Sequence, residues 1–498
     1  MSQPPPDDSD LSQDSPNADP IAEAQSLEPA APSQHDPYAA LRFPNFRHYL
    51  TGQAVALLGG QMMAVAVAWE LYQRTNSATA LGLVGLVQII PVFILFLPAG
   101  HVADRFNRRN IVIFCQLLQA LAALTVGLAS LYRTSIPALT PLTYANAGLD
   151  AMARAFGETG CRFVDPNIPV LFFVLLINGV VRSFNQPAKS SLLPQLVPTE
   201  SFSNAVTWNS STFEICSVTG PLLAGGIIGA FEYLRPNSPW SYATVYFIDA
   251  ACAAAQLFFF LAITLQYAPR ARQPVTLRSL LAGIRFVYAS KIIFGALTLD
   301  MIAVLLGGAT ALLPIFARDI LHVGPIGLGA LRAAPSIGAF SMAMFIAHRP
   351  PIQHAGRALL TSVAGFGAAT IIFGVSHNFF LSLAALFLTG VFDNVSVVVR
   401  HSLVQILTPD SMRGRVGAVN AVFISSSNEL GAFESGYTTA LGKYFFGTIG
   451  AGAIFSVLLG GTGTILVVLA VAALFPQVRR IASLSDLKPE EESDKSKE

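Results

Sequence analysis

Twelve long apolar runs separated by short polar gaps constrain this chain more than any other feature. They lie near residues 49–72, 78–103, 111–132, 168–187, 205–231, 241–267, 293–317, 326–347, 358–375, 379–400, 416–441 and 451–475. A helix crosses a hydrocarbon core of about 30 Å with about 20 apolar residues, and unpaired backbone is not tolerated there. Each run therefore predicts one spanning helix. Barrel strands are a poor fit, because they need about 9–11 residues with strict alternation. Composition agrees: 53% of the 498 residues are hydrophobic and only 12% are charged, whereas a soluble protein carries roughly 25% charged residues. The expected fold class is an all-α membrane protein with twelve transmembrane helices.

The ends of the chain read differently. The first forty residues hold eight acidic side chains, no Lys or Arg, and repeated Pro and Ser. Such a composition cannot bury enough apolar surface to order itself, so residues 1–41 are expected to form a disordered acidic tail. No basic segment followed by an apolar stretch opens the chain, so the first run is expected to act as its own insertion signal. Residues 478–498 read as a charged, solvated tail.

Orientation follows from the gaps. With the N-terminus in the cytoplasm, twenty-one of the thirty Lys and Arg residues, Arg400 among them, fall on the inner side, seven, Arg74 among them, fall outside and two, Arg182 and Arg332, fall within runs. Basic residues accumulate on the cytoplasmic side of membrane proteins, so both termini are expected there. The net charge of +1 is spread among inner gaps and gives no case for nucleic acid.

Two polar segments carry helical patterns of their own. In the outer loop 133–167, Leu149, Met152, Ala153 and Phe156 share helical spacing, as expected for a lid or spacer resting on the membrane. Residues 276–291 place Leu277, Leu280, Leu281, Ile284 and Val287 on one stripe among Arg278, Arg285 and Lys291, which predicts an interfacial helix. That helix falls at the joint of two halves. Sliding the chain by 211 residues superposes Lys189 on Arg400, Ser191 on Ser402, Pro198 on Pro409, Asn209 on Asn420, Gly220 on Gly431 and Gly225 on Gly436. A duplicated six-plus-six architecture is expected. Its divisions are an N-terminal half over 42–267, a linker over 268–292 and a C-terminal half over 293–477.

One gap is unusual. The segment "GHVADRFNRRN", residues 100–110, places Asp104, Arg105, Arg108 and Arg109 together between the second and third runs. Basic charge alone would account for the three Arg residues as topology signals, but not for an Asp beside them. The segment resembles the signature turn of the major facilitator superfamily, with Gly100 for close packing, Asp104 as the acidic member and Asn107 where a second Gly is usual. "PAKSSLLPQLVPTESFSNAVTWNSS", "LDMIAVLLGGATALLPIFARDIL" and "FDNVSVVVRHSLVQILTPDSMRGRVG" are similar to the branch of enterobactin-type siderophore exporters. "TGPLLAGG" partly resembles an antiporter motif, with Cys216 where a Gly is usual. The resemblance covers roughly residues 42–480. It implies a major facilitator fold of two pseudo-symmetric six-helix halves, alternating access, and a turn whose charges tie helix ends together when the cytoplasmic side is closed.

Charges inside the runs are costly and usually pair or face a water-filled route. They are Arg182, Glu214, Asp249, Asp300, Arg332, Asp393, Glu429 and Glu434. The resemblance implies that the first, fourth, seventh and tenth helices line a cavity, which makes Arg182, Asp300 and Asp393 candidates for transport and proton coupling. It also implies that the second, fifth, eighth and eleventh meet across the halves, which makes Glu214, Arg332, Glu429 and Glu434 candidates for a gate or latch. Fixed interhelical ion pairs are the alternative for these candidates, and the resemblance places Asp249 in an outer supporting helix, where a structural role is expected. Pro91, Pro98, Pro221, Pro314 and Pro335 can kink their helices. Gly225 and Gly229 form a small-xxx-small pair suited to close packing.

Enzyme motifs are missing from the sequence: it has no HExxH, phosphate loop or GxSxG. No metal, cofactor or disulfide framework is implied. The expected function is proton-coupled export of an amphipathic small molecule, siderophore or drug-like, by a monomer in the bacterial inner membrane. Lipid flipping, uptake and a non-transporting sensor or scaffold are the alternatives.

Overall fold

The computed structural model describes residues 36–132, 140–155, 163, 165, 167–236, 238–264, 277–349, 352–409 and 412–482. Most of the expected acidic tail, residues 1–35, and most of the charged tail, residues 483–498, lie outside them. The side chains of Asp104, Leu277, Arg278 and Leu280 and the residues Phe156 and Cys161 lie outside them as well.

Twelve long helices form the bundle. They are α1 (Pro44–Thr75), α2 (Ala78–Arg105), α3 (Arg108–Leu131), α4 (Asn167–Leu192), α5 (Phe202–Leu234), α6 (Trp240–Leu261), α7 (Lys291–Leu306), α8 (Gly324–Ala347), α9 (Ala355–Val375), α10 (Phe379–Leu407), α11 (Arg413–Phe446) and α12 (Ile449–Leu474). Local chemistry sets their ends. Ser77 caps α2 by accepting a hydrogen bond from the Ala80 amide at 3.0 Å, and Asn378 caps α10 through the amides of Phe380 and Leu381. Asn76 ends α1 and Gly447 ends α11 in the left-handed conformation. Twelve spans return the chain to its starting side, so Asp36 and Ala482 emerge at one face of the bundle, the terminal face.

Among the described residues eleven stretches are long and apolar enough to span a membrane, the seventh running from Lys291 to Ile320; α11 is long enough but too polar. It carries Asn420, Ser425, Ser426, Ser427, Asn428, Glu429 and Glu434. This polarity reflects its position between the halves, where side chains meet protein and cavity instead of lipid. The seventh helix is broken. Its α-helical part stops at Gly307, and the chain continues through a 3-10 turn, Ala309–Leu312, and a π turn, Phe316–Ile320. The break falls at Gly307 and Gly308 instead of at Pro314. Irregular backbone at this depth is tolerated where protein surrounds it, and Leu312, Leu313 and Phe316 are all fully buried.

The packing repeats. In the first half α1 lies on α5 and α6, α2 on α4, and α3 on α4 and α6. Six helices later, α7 lies on α11 and α12, α8 on α10, and α9 on α10 and α12. The halves meet along two equivalent seams, α2 with α11 and α5 with α8. Each seam is a close glycine contact: a methyl at Gly225 would come 3.0 Å from Gly329 Cα, and one at Gly436 would come 2.7 Å from Gly82 Cα. Gly225 and Gly436 are partners in the internal repeat. A methyl at Gly229 would stand 2.4 Å from Ile326 Cγ1, so the small-xxx-small expectation holds.

The cores show which way the bundle opens. At the face opposite the termini, one apolar core unites both halves, including Trp69, Leu81, Ile228, Leu312, Phe316 and Leu331. Toward the terminal face the core divides in two. Phe46, Val112, Leu192 and Phe260 belong to the first half alone, and Ile293, Leu359, Leu403 and Val416 to the second alone. The halves are joined at one face and parted at the other.

Short helices complete the structure. Thr140–Ala155 buries Ala153 and packs Leu149, as its spacing predicts, but leaves Met152 exposed. Leu277–Ala289 packs Ile284 and Val287 on the second half. Leu281, assigned to the same stripe, is 55% exposed. The backbone of this helix approaches α11 at Gly283, where a methyl would lie 2.9 Å from the Arg415 carbonyl, so the buried face is rotated away from Leu281.

Candidate functional site

A cavity of about 280 Å³ lies inside the first half, between α1, α3, α4 and α6. Helix α4 supplies most of its polarity. Asn178, Arg182, Asn185 and Lys189 recur at spacings of about 3.6 residues and so form one polar ladder. Gln116 and Gln119 project from α3 and Asp249 from α6, while Ala56, Leu57, Val181 and Ala253 add apolar surface. This lining suits a ligand with both polar and apolar surface.

The ladder is tied to the other half. The Arg182 guanidinium donates to Glu429 of α11 at 2.5 Å, with side-chain exposures of 44% and 16%. Arg332 of α8 lies within electrostatic reach of the same Glu429. Asp393 of α10 lies within electrostatic reach of Glu214 of α5. Each charged set joins a helix expected to line the cavity to one expected to meet the other half. All these side chains lie near the middle of their helices. Glu434 stands farther along α11, with Ser435 Oγ donating to it at 3.5 Å.

Asp300 has a different setting. It pairs with Arg400 of α10, and both residues are buried, at 7% and 3% exposure. This is the fixed interhelical pair that stands as the alternative to proton coupling. The sequence places Arg400 with the inner-gap charges, but α10 continues to Leu407 and encloses it. Arg74, placed among the outer charges, is likewise buried. It pairs with Glu70 and donates to Asp165 at 3.1 Å, while Tyr246 Oη and Ser130 Oγ donate to Glu70 at 2.5 and 2.7 Å.

The turn at the terminal face is partly engaged. Arg109 donates from Nε to the Phe260 carbonyl at 2.9 Å and from Nη2 to that of Leu261 at 2.7 Å, which satisfies the last carbonyls of α6. Arg108 Nε is buried without a hydrogen-bond partner, and Arg105 is exposed. Asn107 sits at φ −63°, so it serves as the cap of α3 and not as a tight-turn residue. A methyl at Gly100 would meet nothing within 4 Å. The close packing expected of this glycine is not formed, because the halves are parted at this face.

A closure at the opposite face was not foreseen. Tyr72 Oη of α1 donates to Asp319 beyond α7, and the Arg318 guanidinium lies 5.1 Å from the centre of the Tyr72 ring. These contacts join the halves where the shared core lies.

The family follows from comparison with known proteins. A family model described as Major Facilitator Superfamily matches residues 49–432. The chain belongs to this superfamily. This facilitator is 24% identical over 439 residues to the "Enterobactin exporter EntS" of Citrobacter koseri, covering 88% of this chain and 93% of that one. Solved facilitators share the fold. A bacterial homologue of the human lysosomal transporter Spinster, inward-facing and occupied, aligns with a TM-score of 0.63 at 12% identity, over 91% of this chain and 99% of that one. A bacterial homologue of the iron transporter ferroportin, inward-facing, gives 0.61 at 16% identity, over 86% and 99%. The protein is a multi-pass membrane transporter and not an enzyme.

Sequence reasoning missed Lys189 and Asp249 as cavity groups, Arg400 as a core group, and the Tyr72, Arg318 and Asp319 closure. The ladder from Asn178 to Lys189 was visible as a helical stripe. The others depended on contacts between distant helices.

Proposed function

We propose that this facilitator exports amphipathic small molecules from the bacterial cytoplasm across the inner membrane by proton antiport, acting as a monomer with both termini in the cytoplasm. The observation that carries the reading is the cavity, whose α4 ladder is bridged to the other half by Arg182 and Glu429. A ligand seated against the ladder competes for that bridge and so biases how the halves meet. The likeness to an enterobactin exporter supports export and a siderophore-like or drug-like substrate. The excess of Lys and Arg toward the terminal face supports the orientation; with it, the structure is open to the cytoplasm.

Of the two proton-coupling candidates, Asp393 is the better carrier. It lies within electrostatic reach of Glu214 across the halves and, among the described residues, forms no ion pair that would fix its charge. Asp300 is occupied by Arg400. The test is efflux from pump-deficient bacteria loaded with catecholate siderophores, cationic dyes or hydrophobic antibiotics, with and without a protonophore. Wild type is expected to export one class; the protonophore and Asp393→Asn should each stop it without reducing protein in the membrane. Undiminished efflux in Asp393→Asn would remove Asp393 from the coupling role, and no efflux of any class would remove the exporter reading.

A further inference from the structure

The cavity holds a carboxylate that no basic side chain of the described residues balances. Asp249 is 2% exposed in the middle of α6. Gln119 lies within reach of its carboxylate, yet Oδ2 has no hydrogen-bond partner. Among the described residues no basic side chain forms an ion pair with it. Arg182 is engaged by Glu429, and Lys189 lies near the terminal end of α4, far along the cavity from the middle of α6. A bare carboxylate in such surroundings is unfavourable unless something positive accompanies it.

The neighbouring groups indicate what that is. Gln116, 4% exposed, has a side-chain oxygen without a donor, as do Asn178 and Asn185, and all three line the same cavity. The amide nitrogens of Gln119 and Asn178 both reach Met63 Sδ at 4.0 Å, which leaves the Asn178 oxygen for the cavity. Unpartnered acceptor oxygens from α3 and α4 thus line the same cavity as the Asp249 carboxylate. Oxygen-only surroundings suit a hard cation. A single carboxylate matches a single positive charge, and a divalent ion would leave one charge uncompensated. No group of three His, Cys, Asp or Glu able to hold a metal occurs among the described residues. A proton on Asp249 would satisfy one neighbouring acceptor at most, whereas a cation engages several together. Gly59 makes room for the carboxylate: a methyl there would come 2.6 Å from Asp249 Oδ1.

We propose that Asp249, Gln116 and Asn178 hold a sodium-sized monovalent cation within the first half of the transporter. The site stands whether or not the protein exports the compounds named above. It is tested on the purified full chain in detergent by thermal unfolding in sodium, potassium and choline chloride at equal ionic strength and constant pH, then in choline at lowered pH. Sodium is expected to raise Tm by about 2 °C or more over choline. Asp249→Asn should abolish that rise while keeping a Tm in choline no lower than wild type, and Asn178→Ala should raise the sodium midpoint about tenfold. Equal Tm in sodium and choline, or a sodium effect that survives Asp249→Asn, overturns the proposal. So does acid in choline that reproduces the full stabilisation with nothing added by sodium, since a proton then balances the charge. Should Asp249→Asn fail to fold, an unchanged sodium midpoint in Asn178→Ala overturns it alone. Transport is not read in this experiment, so its outcome and that of the efflux experiment are independent.

Discussion

Lys189 and Arg400 occupy the same place in the two halves of the internal repeat, yet their surroundings are opposite. Lys189 ends a polar ladder that lines a cavity. Arg400 is 3% exposed and paired with Asp300. The difference arises in the helix alongside: α7 supplies Asp300, whereas α1 has no acidic residue before Glu70. Duplication thus provided two copies of one frame, and a single carboxylate closed one of them. The open copy keeps polar groups facing a cavity, and the closed copy buries an ion pair in their place.

That contrast can be broken most decisively at Arg400. Arg400→Leu leaves Asp300 buried without its counterion, and losing one partner of a buried pair costs about 3–5 kcal/mol. Lys189→Leu, which breaks no pair, should stay within about 1 kcal/mol. Thermal unfolding in detergent checks both, and equal losses would show that the halves do not differ in this way. A smaller effect is expected where the halves touch across the cavity. Glu429→Gln removes the charge from a bridge whose Arg182 side is 44% exposed, so solvent screening limits the loss to about 1 kcal/mol. Spin-label distances across the terminal face should shift in this variant, and Arg182→Glu combined with Glu429→Arg should restore them. The smallest effect is expected at the opposite face. Tyr72→Phe deletes the hydrogen bond to Asp319, worth about 0.5–1.5 kcal/mol, and should increase thiol labelling of a cysteine placed at Ala309 in the shared core about fivefold. Unchanged labelling would remove Tyr72 from the closure.

The spans were legible because hydrocarbon leaves a chain few choices. Even α11, too polar by composition, showed a run long enough to recognise. The repeat was legible through Gly225 and Gly436, since two backbones meeting at those points admit no side chain. Partnerships among charges were not. Arg182 and Glu429 stand far apart in sequence, and assigning each to a list by helix number concealed that they meet. Arg400 was misplaced for a simpler reason: a basic residue near the end of an apolar run looks like a topology signal until its carboxylate partner is known. Asp249 was assigned to a supporting helix, where membership in α6 says nothing of whether a side chain faces a neighbour or a cavity.

The single core shared by both halves gives the working cycle a thermal signature. To open the face opposite the termini, the protein must separate apolar surfaces around Leu312, Phe316 and Ile228, and hydrating such surfaces raises heat capacity. Opening the terminal face demands much less of this, because its two cores are already complete on their own. The two strokes of the cycle should therefore respond unequally to temperature, with a curved Arrhenius plot whenever the stroke that divides the shared core limits the rate.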